Sequence, residues 1–135
     1  MAKSTLYNIY NDLVKAVKPI VGNKYIFLKD RPKTKDGDTP MEKFIVVDLP
    51  VSIEDYVIGN KKRHLVTSGV FYLFTQAKKN DTLDVGATGD FVDSIVDLFP
   101  ISGDYIVANN PIVRMTGSDG MGFQVTSISY NIYTK

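Results

Sequence analysis

At 135 residues, 44% hydrophobic and 23% charged, the chain has the size and balance of one globular domain rather than a disordered segment. Its 16 basic and 15 acidic residues leave a net charge of +1, which gives no general electrostatic reason to bind nucleic acid or a membrane surface. With no cysteine, disulfides and thiolate metal sites are excluded, and no apolar run approaches the roughly 18 residues of a membrane span.

Met1 to Pro19 has the outline of a signal peptide, but Asp12 and scattered polar residues interrupt any apolar core, so a cytoplasm-made protein is expected. Ser4 to Lys18 instead predicts a helix. Leu6, Ile9, Tyr10, Leu13, Val14 and Val17 recur at three- and four-residue spacing and form one apolar stripe. Ser4 is placed to cap its first turn, Lys15 and Lys18 suit its negative end, and Pro19 stops it. The stripe reads as core packing, because the opposite face carries too few basic residues for an interfacial helix.

After a turn at Gly22-Asn23, Tyr25 to Lys29 reads as a strand. Asp30 to Pro40 is polar, with two prolines and Gly37, and Glu42 to Leu49 is the next strand. Together they predict a long β-hairpin arm with a flexible tip over residues 30–41, closed by Pro50. Loops of this length without structure of their own are usually functional or disordered. Val51 to Asn60 fits either a short strand or one irregular turn.

Arg63 to Ala77 reads as a long strand, with Val70, Tyr72 and Phe74 on one face and Phe71 and Leu73 on the other. Apolar residues on both faces predict burial on both sides, and Gly69 marks a bend or bulge. Asn80 to Gly89 is read as a Gly- and Asp-rich linker, and Asp90 to Phe99 as the second helix, with Thr88 as its cap and Pro100 as its stop. Its apolar stripe is Phe91, Val92, Ile95, Leu98 and Phe99. Asp104 to Thr116 is a strand broken by a turn or bulge at Asn109-Asn110-Pro111, and Gly117 to Gly120 turns the chain. Gly122 to Tyr133 closes it. Phe123 and Val125 have one parity and Ile128, Tyr130 and Ile132 the other, which predicts a bulge or a change of burial near Thr126-Ser127.

Little in this pattern carries chemistry. His64, the only histidine, has no nucleophile motif beside it and cannot by itself make a metal site. Asp81, Asp84, Asp90, Asp93 and Asp97 lack the regular spacing and closing glutamate of a calcium loop and read as a solvated helix face; Asp36-Gly37-Asp38 reads as turn chemistry. Gly117 to Gly122 has the glycines of a phosphate loop without its Lys and following helix. Gly86 to Asp90 is a better anion site, since helix N-termini attract anions, although Asp90 stands in the way. No catalytic, metal or cofactor-binding residue is assigned. Two basic clusters remain: Arg31, Lys33 and Lys35, with Lys29, on the predicted hairpin, and Lys61-Lys62-Arg63. Their bland account is a solubilising surface. Their functional account is an intersubunit contact that meets an acidic neighbour or passing DNA.

The order of elements carries the rest: an N-terminal helix from Ser4, Phe44 to Pro50 before an irregular stretch, Gly69-Val70-Phe71-Tyr72-Leu73-Phe74, a helix from Asp90 to Phe99, and a closing strand from Gly122 to Tyr133. This order resembles the tail-terminator and neck (head–tail connector) proteins of bacterial viruses. The resemblance implies a single α+β domain over residues 1–135, an antiparallel or mixed sheet packed by two helices. It implies a virion structural protein, not an enzyme, assembled in the host cytoplasm into a six- or twelve-fold ring at the head–tail junction. The ring would join the tail tube to the connector or portal and pass DNA through its bore without reading sequence, with no cofactor and no membrane. The competing expectation is a small ligand- or anion-binding domain of a mobile element that uses Gly86 to Asp90.

Overall fold

A computed structural model of the chain describes residues 5–22, 25–28, 42–49, 55–58, 61–64 and 67–134. In chain order the elements are α1 (Thr5–Val21), β1 (Ile26–Leu28), β2 (Lys43–Asp48), β3 (Asp55–Ile58), β4 (Lys61–His64), β5 (Thr67–Gln76), α2 (Val85–Val96), β6 (Ile101–Ser102), β7 (Ile106–Ser118) and β8 (Phe123–Thr134). Six strands form one sheet in the spatial order β1-β2-β5-β8-β7-β6, and β3 and β4 form a separate ribbon. Both helices pack on one face of the mixed sheet, so the fold is α+β.

The expected stripe of α1 is the one it buries: Ile9, Leu13 and Val17 have no exposed surface. The helix runs past its expected end at Lys18, with Pro19 inside its last turn. Pro19 is on the exposed side, and the carbonyl it cannot serve belongs to exposed Lys15, where water can take the bond. The helix ends instead at Gly22, whose φ of 79° is left-handed and whose N–H donates to the Lys18 carbonyl at 2.9 Å. Ser4, the expected cap, lies outside the described residues.

The second helix begins at Val85 rather than Asp90. The Asp84 carboxylate accepts the Ala87 N–H at 3.1 Å and so caps a turn that contains Gly86 and Gly89. Thr88, expected as the cap, is instead buried inside the helix, where its hydroxyl meets that of Thr75 on β5 at 2.7 Å. Phe91 and Ile95 are buried against the sheet, and the Lys43 ammonium stands 5.1 Å from the centroid of the Phe91 ring.

The hairpin expected from Tyr25 to Leu49 fails on direction. β1 and β2 pair in parallel, with Ile26 opposite Ile45 and Leu28 opposite Val47. Period-two alternation fixes which face a residue takes but not which way the strand runs. A parallel pair needs a crossover, and the long polar connection supplies one where a tight turn would not. The predicted tip, residues 30–41, lies outside the described residues. The strand expected over Arg63 to Ala77 is two elements, because β4 pairs with β3 and β5 joins the main sheet. Of the two readings of Val51 to Asn60, the strand holds over Asp55–Ile58.

Burial on both faces holds as expected. On the helix side, Ile45, Val47, Phe71, Leu73, Ile128, Tyr130 and Ile132 join the helices in the main core. On the other side, Phe44, Val46, Phe74 and Phe123 form a second cluster. There Phe44 stacks on Phe74 with centroids 4.4 Å apart and meets Phe123 edge-on at 5.1 Å. Each such buried side chain contributes about 1.5–3 kcal/mol. The parity switch in β8 is a change of burial, not a bulge: its register with β5 is unbroken from Phe123 to Ile132. Phe123 and Val125 serve the second cluster, and Ile128 to Ile132 the first. Gly69 is likewise no bulge. It pairs with Tyr130, whose ring lies over it so closely that a Cβ there would stand 2.7–2.9 Å from the ring and hydroxyl.

Candidate functional site

The sheet is left open along β7. Strand β6 covers β7 only at Val107 and Ala108, and beyond them β7 is an edge among the described residues. The expected irregularity at Asn109-Asn110-Pro111 is there: the register with β8 shifts between Asn109 and Ile112, and Asn110 takes a φ of 61°. A second shift falls between Met115 and Gly117. Bulges and a proline are common devices that blunt a sheet edge. Between them Ile112 to Met115 is regular, paired to Ser129, Ile128, Ser127 and Thr126 in turn.

That regular stretch is apolar and open to solvent. Ile112 is 54% exposed, Val113 42% and Met115 56%. Single exposed apolar residues are ordinary; here three fall on one edge, Val113 and Met115 on one face of the sheet and Ile112 on the other. The edge is held stiffly from behind. The Thr116 hydroxyl donates to the Val125 carbonyl at 2.9 Å, and the Thr126 hydroxyl reaches the Met115 sulfur at 3.4 Å. The turn that follows is locked by Asp119, whose Oδ1 accepts the N–H of Met121 at 2.7 Å and of Phe123 at 3.1 Å. The Ser118 hydroxyl accepts the Gly120 N–H at 3.0 Å. These amides therefore already have an internal acceptor, and the glycine loop is not a free phosphate cradle.

The other end of β7 is anchored by a residue the sequence pattern does not single out. Asp12, 4% exposed within α1, accepts the backbone N–H groups of Tyr105 at 2.8 Å and Ile106 at 3.0 Å through Oδ2. Gly103 passes directly against it, leaving no room for a Cβ. The available signal was position: Asp12 falls three residues after Ile9 and beside Leu13, on the stripe rather than opposite it. The nearby ion pair of Lys15 with Asp104, 3.9 Å long and well exposed, adds little.

A second unpredicted feature is a buried phenol. The Tyr130 hydroxyl has no hydrogen-bond partner among the described residues. Burial, then the nearby Tyr10 and Asp48, hold its pKa well above the ordinary 10.0. Tyr10 is raised for the same first reason, with Asp48 adding to it and a hydrogen bond from the Leu49 backbone opposing.

Of the residues proposed for intersubunit contact, Arg31, Lys33 and Lys35 lie outside the described residues. Lys61, Lys62 and Arg63 are strand residues of β4, opposite Ile58, Val57 and Tyr56. The anion site expected at Gly86 to Asp90 is displaced, since the helix N-terminus lies at Val85 and the Asp84 carboxylate already occupies it. Among the described residues no three His, Asp or Glu side chains converge as metal ligands, and no helix is long and apolar enough to cross a membrane. Compared with known proteins, the chain matches no family model and no curated protein.

Proposed function

We propose that this protein is a structural subunit of a bacterial virus, of the tail-terminator or neck type, that closes into a ring at the head–tail junction. The observation that carries the reading is the open β7 edge, where apolar Ile112, Val113 and Met115 face solvent from a stretch in regular register with β8. An edge of this kind is completed by another chain. A repeated contact between unlike surfaces of identical subunits builds a closed ring when its rotation closes. The two-helix, mixed-sheet fold supports the same reading, as does the order of elements that resembles this family. On this reading the ring is six- or twelve-fold, joins the tail tube to the connector and portal, and passes DNA through its bore without binding it tightly, in keeping with a net charge of +1. Its role is mechanical rather than enzymatic, and the basic residues Arg31, Lys33, Lys35, Lys61, Lys62 and Arg63 add contacts between subunits.

Light scattering on the purified protein and negative-stain imaging, alone and on tail-less and tailed particles, test this. Rings of uniform size in either setting are expected. A chain that stays monomeric at high concentration and is missing from the particle neck overturns the reading, as does turnover of a nucleotide or ester substrate.

A further inference from the structure

Among the described residues the sheet ends in two unlike edges, and their residues match. One is β7 over Ile112–Met115; the other is β1, three residues long, with Leu28 52% exposed. The registers place each residue on a face. Ile26 and Leu28 stand with Ile45 and Val47 on the helix side, and Phe27 stands with Val46 on the other. Val113 and Met115, opposite Ile128 and Thr126, are on the helix side, and Arg114, opposite Ser127, is on the other.

We propose that β1 of a second copy of this chain pairs antiparallel with the open stretch of β7, continuing one sheet from subunit to subunit. The inference rests on the ring reading above and names the surfaces that meet. Strand direction supports it. β1 runs with β2, which runs against β5, then β8 against β5 and β7 against β8, so β1 and β7 point in opposite directions within one subunit. A neighbour that keeps the same face toward its helices therefore presents β1 antiparallel to β7, the more stable pairing.

Register follows from parity, because directly opposed residues share a face. Phe27 opposite Arg114 sets Ile26 against Met115 and Leu28 against Val113. Apolar then meets apolar on the helix side, and a guanidinium meets an aromatic ring on the other. Moving by two residues one way sets Leu28 against Pro111, which has no N–H for the ladder, and moving the other way carries Ile26 into the irregularity between Met115 and Gly117. The edge also disfavours pairing with itself. A two-fold centred on Arg114 sets like charges directly opposite, and one centred on Val113 brings Pro111 into the ladder. The unlike edge avoids both faults, and a head-to-tail contact of this kind is the one that closes rings.

The chain lacks cysteine, which makes the test clean. Within one subunit β2, β5 and β8 separate β1 from β7, roughly 19 Å at strand spacing, so an internal disulfide between them cannot form. Under mild oxidation the Leu28→Cys, Val113→Cys double variant should give a ladder of covalent oligomers ending in one closed species. A mixture of the two single variants should give only covalent dimers, and each single variant alone none. Leu28→Cys with Ile112→Cys, which puts the thiols on opposite faces, should stay uncrosslinked. Circular dichroism confirms that each variant is folded, as expected for substitutions at exposed positions. An oligomer by light scattering that yields no Leu28–Val113 crosslink overturns this pairing and leaves the ring reading standing. A covalent dimer from Val113→Cys alone overturns it in favour of a two-fold. A chain that is monomeric both in solution and against its particle removes both readings together.

Discussion

Asp12 is the residue on which the start of β7 hangs. Its carboxylate is the acceptor for two backbone N–H groups that enter the core with Ile106. Hydrogen bonds to a charged acceptor are worth about 1.5–3 kcal/mol each, and stranding buried donors costs as much again in desolvation. Asp12→Ala should therefore lower the unfolding free energy by about 2–4 kcal/mol, and Asp12→Asn by less, in urea titrations. Gly103→Ala should be strongly destabilising, because its Cβ would collide with the Asp12 side chain, and only partly relieved in the Asp12→Ala background, where the Asp12 Cβ at 2.7 Å remains. Tyr130 predicts the opposite sign. With its hydroxyl buried and unpartnered among the described residues, Tyr130→Phe should be neutral or stabilising by about 1 kcal/mol. The folded state also holds the Tyr130 proton to higher pH than the unfolded chain does. Stability is then fully present below pH 10.0, the ordinary value, and falls as pH rises toward the raised folded pKa; Tyr130→Phe should flatten that alkaline decline. The sequence showed neither residue's role for one reason. Asp12 looked like a polar interruption of an apolar N-terminal run, and its partners lie more than 90 positions away. Tyr130 looked like any strand aromatic until Gly69 was seen beneath it.

At the scale of elements, the sequence showed faces well and boundaries and directions poorly. The stripes of α1 and α2 and the two-sided burial of β5 are consequences of period, and period is visible in a single chain. The start of α2 was hidden because Gly86 and Gly89 resemble a linker, whereas Asp84 takes the Ala87 N–H on its carboxylate and the Thr88 N–H on its carbonyl and so opens the helix there. That gives a test. Nothing lies within 4 Å of a Cβ built on Gly89, and only the Asp84 Oδ1, at 3.8 Å, near one on Gly86. Gly86→Ala and Gly89→Ala should each raise stability by about 0.5–1 kcal/mol, read as a higher denaturant midpoint with unchanged slope. A linker in that position would show no such gain. The parallel pairing of β1 with β2 was hidden more deeply: the same alternation serves either direction, and only the whole sheet, with β5 already antiparallel on the far side of β2, selects one.

For the whole molecule, that parallel pairing changes what residues 29–41 have to do. A hairpin tip can be trimmed toward a tight turn, but a connection between parallel neighbours must bring the chain back to the end where it started. With residues 33–38 deleted, seven of residues 29–41 remain, fewer than the dozen or so that a connection between parallel neighbours needs. The deletion should therefore weaken the fold as well as any assembly, and so is a poor probe of contact. Replacing residues 33–38 by Gly and Ser at equal length keeps the reach and removes Lys33 and Lys35. Unfolding should stay cooperative, with the free energy within about 0.5 kcal/mol of the parent, while ring yield falls. Unchanged ring yield on that replacement would take Lys33 and Lys35 out of the interface. Salt separates the two kinds of contact proposed. Basic contacts through Arg31, Lys33, Lys35 and Lys61 to Arg63 are screened within about 10 Å at 0.1 M salt, whereas the pairing of β1 with β7 is held by backbone bonds and apolar side chains. Rings that loosen between 0.1 and 0.5 M salt only when residues 33–38 are native place those charges at the interface. Rings equally stable in both, yet lost on Val113→Asp, place the interface at the sheet edge alone.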